Sequence, residues 1–391
     1  MSTIATRLAW LVDALAAIDD GHLRRPRHEV RRLDRGRIER NGRSLLDFAS
    51  NDYLGLASDP EVIAAAKAVL SEIGVGSGAS ALITGRSPWH AELERTLARF
   101  EGEEDAVLFP TGYAANIGTI AALVGSKDVV FCGRLNHASL IDGCRLSGAA
   151  LRVFRTDRLD ELKGRLASAA GFDRRWIVTD GVFGMDGVVA PLSELCDVAD
   201  RFEAAVIVDE AHGTGVLGDF GRGACERCGV VDRVAVRIGT LSKSIGALGG
   251  FVAGPTVLTE YLRHHAKSQM YSTALPPVVC AAASAAIRLI DERRQSRERL
   301  AQTADHFRNR LREAGLFVPG DDGVPIVPVV LGAPERAVAA GVELDRRGFA
   351  VGVIRPPTVP RATARLRISL SSVHEEDDVD SLAESLIGLC K

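Results

Sequence analysis

Between residues 105 and 254 seven short apolar runs recur: DAVLF, DVVF, LRVF, WIVTD, AVIVD, AVRIG and GGFVA. Several are apolar almost throughout instead of alternating with polar residues, the pattern of strands covered by helices on both faces. This series constrains the chain more than any other feature. It predicts an α/β domain with a seven-stranded, mostly parallel sheet. Helical spacing falls near 88–100, 113–124, 138–148, 158–170 and 191–203, and Pro88 and Pro191 suit helix starts. A longer helical pattern runs from about Pro276 to Glu313. Beyond it IVPVVL, FAVGV and RLRISL read as strands and 334–347 and 375–390 as helices, giving a smaller C-terminal α+β domain. The expected organisation is an N-terminal helix and basic segment over 1–45, a large α/β domain over 46–285 and a small domain over 286–391.

With 391 residues, 46% hydrophobic and 25% charged, the chain has length and apolar content for two packed domains. Its net charge of -3 gives no overall pull toward nucleic acid or an anionic membrane. Charge is uneven locally, because Arg24, Arg25, Arg27, Arg31, Arg32, Arg35 and Arg37 crowd one segment. They read either as a solvated strip or as a place to meet a ligand's phosphate or carboxylate. Nucleic-acid binding there would weaken steeply with salt. Seven scattered cysteines, an odd number, argue against a disulfide framework and for a reducing, cytoplasmic setting. Cys225 and Cys228 form a lone CxxC with no second pair nearby, short of the four ligands of structural zinc. At the N-terminus Ile4, Leu8, Leu11, Leu15 and Ile18 share one helical face, and Asp13 interrupts what could pass for a secretion signal. No apolar run approaches the roughly 18 residues that span a bilayer.

In open α/β sheets ligands gather beyond the carboxyl ends of the strands. The polar residues just after these strands are therefore the candidates for chemistry. AVIVD ends in Asp209 and leads to His212; DVVF is followed by Asn136 and His137; DAVLF leads to Thr111, Gly112 and Tyr113; AVRIG leads to Thr240 and Lys243. The glycine turn at 111–113 opens a helix, whose unpaired N–H groups and positive dipole end suit a phosphate. Lys243 sits among small residues in GTLSKSIG, where a desolvated amine becomes nucleophilic near neutral pH and forms Schiff bases with carbonyls. A phosphate cradle, such an amine and a carboxylate able to keep a pyridine nitrogen protonated are together what pyridoxal 5'-phosphate requires. Two other motifs carry less. Gly213, Gly215 and Gly218 spell GxGxxG, but a poor helix follows. The stretch from Gly78 to Ser87 has neither the spacing nor the lysine of a P-loop and reads as a glycine-rich wall of the active site.

With these residues placed, the chain resembles the α-oxoamine synthases, fold-type I pyridoxal-phosphate enzymes that condense an amino acid with an acyl thioester and release carbon dioxide. The blocks NDYLGLASDP, GSGASALITGRSPWHAELE, LNHASLIDG, VTDGVFGMDG, VDEAHGTGVLG, TLSKSIGALGG, YSTALPP and IRPPTVPRATARLRISLSSVHE carry the resemblance almost end to end. It implies that Lys243 holds the cofactor aldehyde and later moves the Cα proton. Asp209 would pair with the pyridine nitrogen, His137 stack on the ring and His212 bond its phenolic oxygen. Gly112, Tyr113 and Thr240 would contact phosphate or ring, with Ser272 and Thr273 reaching the site of a partner subunit, so that the family works as a homodimer with shared sites. For the substrate carboxylate a strand reading puts Arg365 and Arg367 on one face; the resemblance favours Arg367 and adds Arg24 and Thr358 as substrate contacts. The IRPPTVP block resembles the branch that joins L-alanine to a pimeloyl thioester, carried on coenzyme A or a carrier protein, in biotin synthesis. Two alternatives stand beside it: glycine C-acetyltransferase, and a catalytically silent cofactor-binding subunit. Gly184 departs from the family, which often has serine there to contact the cofactor, and Ser242 stands where relatives often have glycine.

Overall fold

A computed structural model describes residues 6–21, 23–24 and 27–390. Ile4 and Arg25 lie outside the described residues. The chain forms two compact units, one of 51–302 with 320–325, the other of 1–50, 303–319 and 326–391. Against the expected divisions at 45 and 285, the units part at 50 and 302.

The larger unit is built on a seven-stranded sheet. Its strands are β1 (Asp105–Phe109), β2 (Val129–Gly133), β3 (Ala150–Phe154), β4 (Arg175–Asp180), β5 (Ala204–Asp209), β6 (Val236–Thr240) and β7 (Gly250–Gly254). Their order in the sheet is β1-β7-β6-β5-β4-β2-β3. All pairings are parallel except those of β7, which runs antiparallel to both β6 and β1. Parallel neighbours need a crossover, and helices supply it. Two matter for the site: α1 (Gly112–Leu123) after β1 and α2 (Ala138–Leu146) after β2. Val107, Phe109, Val130, Val178, Ile207, Ile238 and Val252 on the strands meet Ile120 and Leu140 on these helices in one buried cluster. Burying each such side chain contributes about 1.5–3 kcal/mol, which is why the strands are apolar on both faces.

The helical pattern from Pro276 to Glu313 is interrupted. Helix Pro277–Glu292 ends at Arg293, and a second helix runs Arg294–Glu313. Arg293 leaves the helical conformation, with φ -104° and ψ 46°, and its guanidinium holds Asp59 at 2.6 Å and Glu61 at 2.7 Å. These acids stand at the start of helix Pro60–Ile73, where Asp59 caps the N–H of Glu61. The anion-rich helix start draws the arginine out of line.

In the smaller unit N-terminal and C-terminal segments share a six-stranded sheet, in the order Val30–Arg32, Arg37–Arg40, Arg43–Phe48, Phe349–Ile354, Ala364–Ser369 and Ile326–Gly332. Strand 43–48 runs parallel to 349–354. Asp345 is gripped by Arg40 and Arg43, and the ring of His374 lies 4.0 Å from that of Phe48. Helix Trp10–Asp20 buries none of its residues.

Candidate active site

A cavity of about 310 Å³ opens at the carboxyl edge of the large sheet. Thr111, Gly112, Tyr113, His137, Asp209, His212, Thr240 and Lys243 all line it, as the strand-end argument requires.

One end of the cavity is a cradle. Thr111 caps α1 by accepting the Ala114 N–H at 3.0 Å, and the first-turn N–H groups of Gly112 and Tyr113 have no acceptor within the helix. A Cβ on Gly112 would lie 2.9 Å from Thr240 Oγ1, and one on Gly250 would lie 2.5 Å from the Thr111 carbonyl oxygen. Glycine is required at both positions for β7 and β6 to press Thr240 against the helix start. Thr240 Oγ1 donates to the Gly249 carbonyl at 2.9 Å and stands 2.8 Å from Ser242 Oγ. N–H groups, a helix dipole and hydroxyls converge on one spot, which fits an anion such as a phosphate monoester.

The cavity floor is acidic. Asp209, at the end of β5, is buried, and its Oδ1 accepts the Ala211 N–H at 2.8 Å while Oδ2 accepts from Asn116 Nδ2 at 2.6 Å. Asp180, at the end of β4, accepts the His137 N–H at 2.7 Å. Burial, and then the Asp209 charge, push the Asp180 carboxyl well above the usual carboxylate range. Asp209 is thereby the acid placed to pair with a cation in the cavity.

His137 caps α2 through its side chain and meets Tyr113 edge-on, with ring centroids 6.3 Å apart. Burial and then Lys243 lower its proton affinity against the opposing pull of Asp209 and Asp142; the ring also faces the open cavity, which blunts the effect of burial. Tyr113 donates its hydroxyl to Asp142. His212 Nδ1 stands 2.8 Å from the Tyr53 hydroxyl. Its Nε2 would lie 2.2 Å from a Cβ built on Gly184, so the imidazole fills the space that a serine side chain would need. Lys243, half-buried, brings the amine to the same cavity.

The remaining expected residues lie elsewhere. Ser272 and Thr273 do not line this cavity; Thr273 forms a bridge with Ser80 and borders a smaller cavity of about 20 Å³. Of the glycine-rich stretch 78–87, Ala81 and Arg86 reach that smaller cavity and none of it lines the large one. Gly213, Gly215 and Gly218 make tight turns, with a Cβ on Gly215 falling 2.6 Å from Ser244 Oγ, and only a four-residue helix follows at Ala224–Arg227. Arg24, Thr358 and Arg367 belong to the smaller unit. Arg367 is buried and donates to Ser369 Oγ at 2.8 Å, its neighbour Arg365 is equally buried, Thr358 is exposed, and exposed Arg24 pairs with Asp19. Among the described residues no group of three or more His, Cys, Asp or Glu could hold a metal, and no helix is long and apolar enough to cross a membrane.

Asn116, Ser139 and Asp180 are among the residues of the site that escaped the sequence reading. Asn116 carried a signal, a polar side chain one turn after the cradle in an otherwise apolar helix, GYAANIGTIAAL.

Cradle, buried carboxylate and amine together accommodate the phosphate, the ring nitrogen and the aldehyde of pyridoxal 5'-phosphate. Residues 43–386 match the family described as Aminotransferase class I and II. A putative 8-amino-7-oxononanoate synthase of Desulforudis audaxviator is 45% identical over 96% of this chain and 97% of its own length. The 8-amino-7-oxononanoate synthase 2 of Bacillus subtilis is 42% identical over 98% of each chain. Among solved structures, serine palmitoyltransferase of Sphingomonas wittichii superposes with a TM-score of 0.93 at 32% identity, covering 99% of this chain and 98% of the other. The chain therefore belongs to the aminotransferase class I and II family and, within it, to the pyridoxal-phosphate-dependent α-oxoamine synthases.

Proposed function

We propose that the protein condenses L-alanine with a pimeloyl thioester, releasing the thiol and carbon dioxide, to give the 8-amino-7-oxononanoate used in biotin synthesis. The observation that carries this reading is the near full-length identity to synthases of that name, on a chain whose cavity keeps the amine, the acid and both histidines. When bound, the cofactor supplies an aldehyde for an amine and a cationic ring that takes up the electron pair left on the amino-acid Cα. Lys243 offers that amine and then moves the Cα proton. Asp209, held by Asn116 and Ala211, would pair with the ring nitrogen. His137 and His212 would orient the ring, and Gly112, Tyr113 and Thr240 would hold the phosphate.

Arg367, with Arg24 and Thr358, is assigned to the substrates; support for these three comes from the family resemblance of their sequence blocks. The chain works as a homodimer in this reading, Ser272 and Thr273 serving the partner's phosphate site. Neither lines the cavity of its own chain, and Tyr271 beside them is 79% exposed. A cytoplasmic setting fits the seven cysteines, all free thiols.

A second reading rests on the close superposition on serine palmitoyltransferase. Alanine and serine differ by one hydroxyl, alanine and glycine by one methyl, and such differences are worth only about 1–3 kcal/mol in an apolar pocket. Incubation with each amino acid and pimeloyl-, acetyl- or palmitoyl-CoA, read by mass spectrometry, decides. The eight-amino-seven-oxo acid is expected as the main product; its absence beside turnover of glycine with acetyl-CoA, or of serine with palmitoyl-CoA, overturns the proposal.

A further inference from the structure

Along the cavity wall four side chains, Asp209, Asn116, Ser139 and His137, form one line. Asn116 Nδ2 donates to Asp209 Oδ2 at 2.6 Å and to Ser139 Oγ at 2.8 Å. Ser139 Oγ stands 2.7 Å from His137 Nδ1. Asn116 is 3% exposed, Ser139 0% and Asp209 5%, so water does not compete for these bonds. The amide orientation follows from chemistry: turned over, its oxygen would face the Asp209 carboxylate, acceptor against acceptor. Asn116 Oδ1 is left with no partner, a cost that the line tolerates in order to keep both amide hydrogens where they are.

The direction of the bonds then propagates. Ser139 Oγ already accepts a hydrogen from Asn116, and its own hydrogen has an acceptor 2.7 Å away in His137 Nδ1. The Ser139 backbone N–H, which is also the capped N–H of α2, points at the same nitrogen at 3.3 Å. A nitrogen that receives two hydrogens carries a lone pair, not a proton. Protonating it would set N–H against N–H at the positive end of a helix. Of the charges facing the ring, Asp209 on β5 and Asp142 on α2 favour its cation, and Lys243 opposes it. Asp180 on β4 holds the backbone N–H, and Tyr113 on α1 meets the ring edge. Against the pull of the two acids stand burial, the Lys243 charge and the direction of these hydrogen bonds.

We propose that Asn116 and Ser139 are positioning residues: hydrogens donated from Asn116 to Ser139 and from Ser139 to His137, anchored on Asp209, hold the His137 ring neutral with its proton on Nε2. Nε2 makes no hydrogen bond among the described residues, so the ring presents the cavity with a donor and never with a second positive charge. If His137 lies on the cofactor, as the proposed function has it, this spares a cationic ring a cationic neighbour. Asn116 meanwhile fixes one oxygen of Asp209, and with it the orientation of that carboxyl group in the cavity.

The test is long-range 1H–15N NMR of the ¹⁵N-histidine-labelled holoenzyme across pH 5 to 8.5, with His137 assigned through His137→Gln. The expected spectrum is that of a neutral ring protonated on Nε2, with a midpoint at least one unit below the ordinary value of about 6.5. Ser139→Ala should raise that midpoint by about one unit, and Ser139→Thr, which keeps the hydroxyl, should restore it. Asn116→Ala, which frees the serine hydroxyl to turn, should raise it by less and serves if the 139 variants do not fold. A proton on Nδ1, an ordinary midpoint, or no change in Ser139→Ala and Asn116→Ala overturns the proposal. If the tautomer is as stated but no amino acid and thioester are condensed, the functional reading falls and the relay stands.

Discussion

Two histidines in this chain are held in the same way and left in opposite states. His374, in the smaller unit, accepts the Ser371 N–H on Nδ1 at 3.2 Å and donates from Nε2 to the Asp47 carbonyl at 3.2 Å, its ring tilted 36° against that of Phe48 and the residue 7% exposed. His137, in the larger unit, accepts the Ser139 N–H on Nδ1, and its other nitrogen faces the cavity. The first ring is closed on both sides and serves the fold. The second has one side satisfied by the protein and one reserved. The unpartnered Asn116 Oδ1 and the first-turn N–H groups of α1 likewise leave hydrogen-bonding capacity open at the same cavity.

Replacing the reactive amine gives the widest separation between the two regions. Lys243→Ala should cut turnover roughly a thousandfold or more while Tm moves by no more than a few degrees. A collapsed Tm in a thermal melt would make Lys243 a structural residue instead. Acid should break the closed side next. Burial lowers the His374 value from 6.5 to about 4, so as pH falls the unfolded chain takes up the proton first. The stability it contributes is complete above 6.5 and is lost progressively down to about 4, in all on the order of 3 kcal/mol. Urea midpoints at pH 7 and 5 should therefore differ, and His374→Gln, though less stable, should flatten that part of the pH dependence; an unchanged slope refutes the assignment.

Smaller effects are expected at the open side. Gly184→Ser must displace the His212 ring from its place beside Tyr53, and cofactor affinity, followed by absorbance on titration of the apoenzyme, should fall about tenfold, or about 1.4 kcal/mol. Tighter binding would mean that the serine hydroxyl repays the movement. Ser242→Gly should change the same affinity by no more than about twofold, since Thr240 Oγ1 keeps its bond to the Gly249 carbonyl. A larger loss would place Ser242 itself on the phosphate.

The large sheet was legible because its strands announce themselves locally: β4 and β5 are apolar runs ending in Asp180 and Asp209, and the residues after β1, β2 and β6 gave the cradle, His137 and Lys243. What escaped depends on pairings distant in sequence. Nothing near 43–48 says that it will lie beside 349–354, and nothing near Arg293 says that Asp59 and Glu61 will interrupt its helix. Asn116 and Ser139 act only through the directions of their hydrogens, which a residue letter does not encode. Gly184 reads as a missing hydroxyl until the His212 ring is seen to occupy the space.

The lone reversed strand has a consequence for the order of assembly. β1 lies at the border of the sheet and pairs with β7 alone, so the segment leading into the cradle has no strand partner until residues 250–254 have been made. By then the loop carrying Lys243 has already emerged. The hydrogen bonds that fix the border strand before α1 are therefore among the last in the large sheet to become possible as the chain is made.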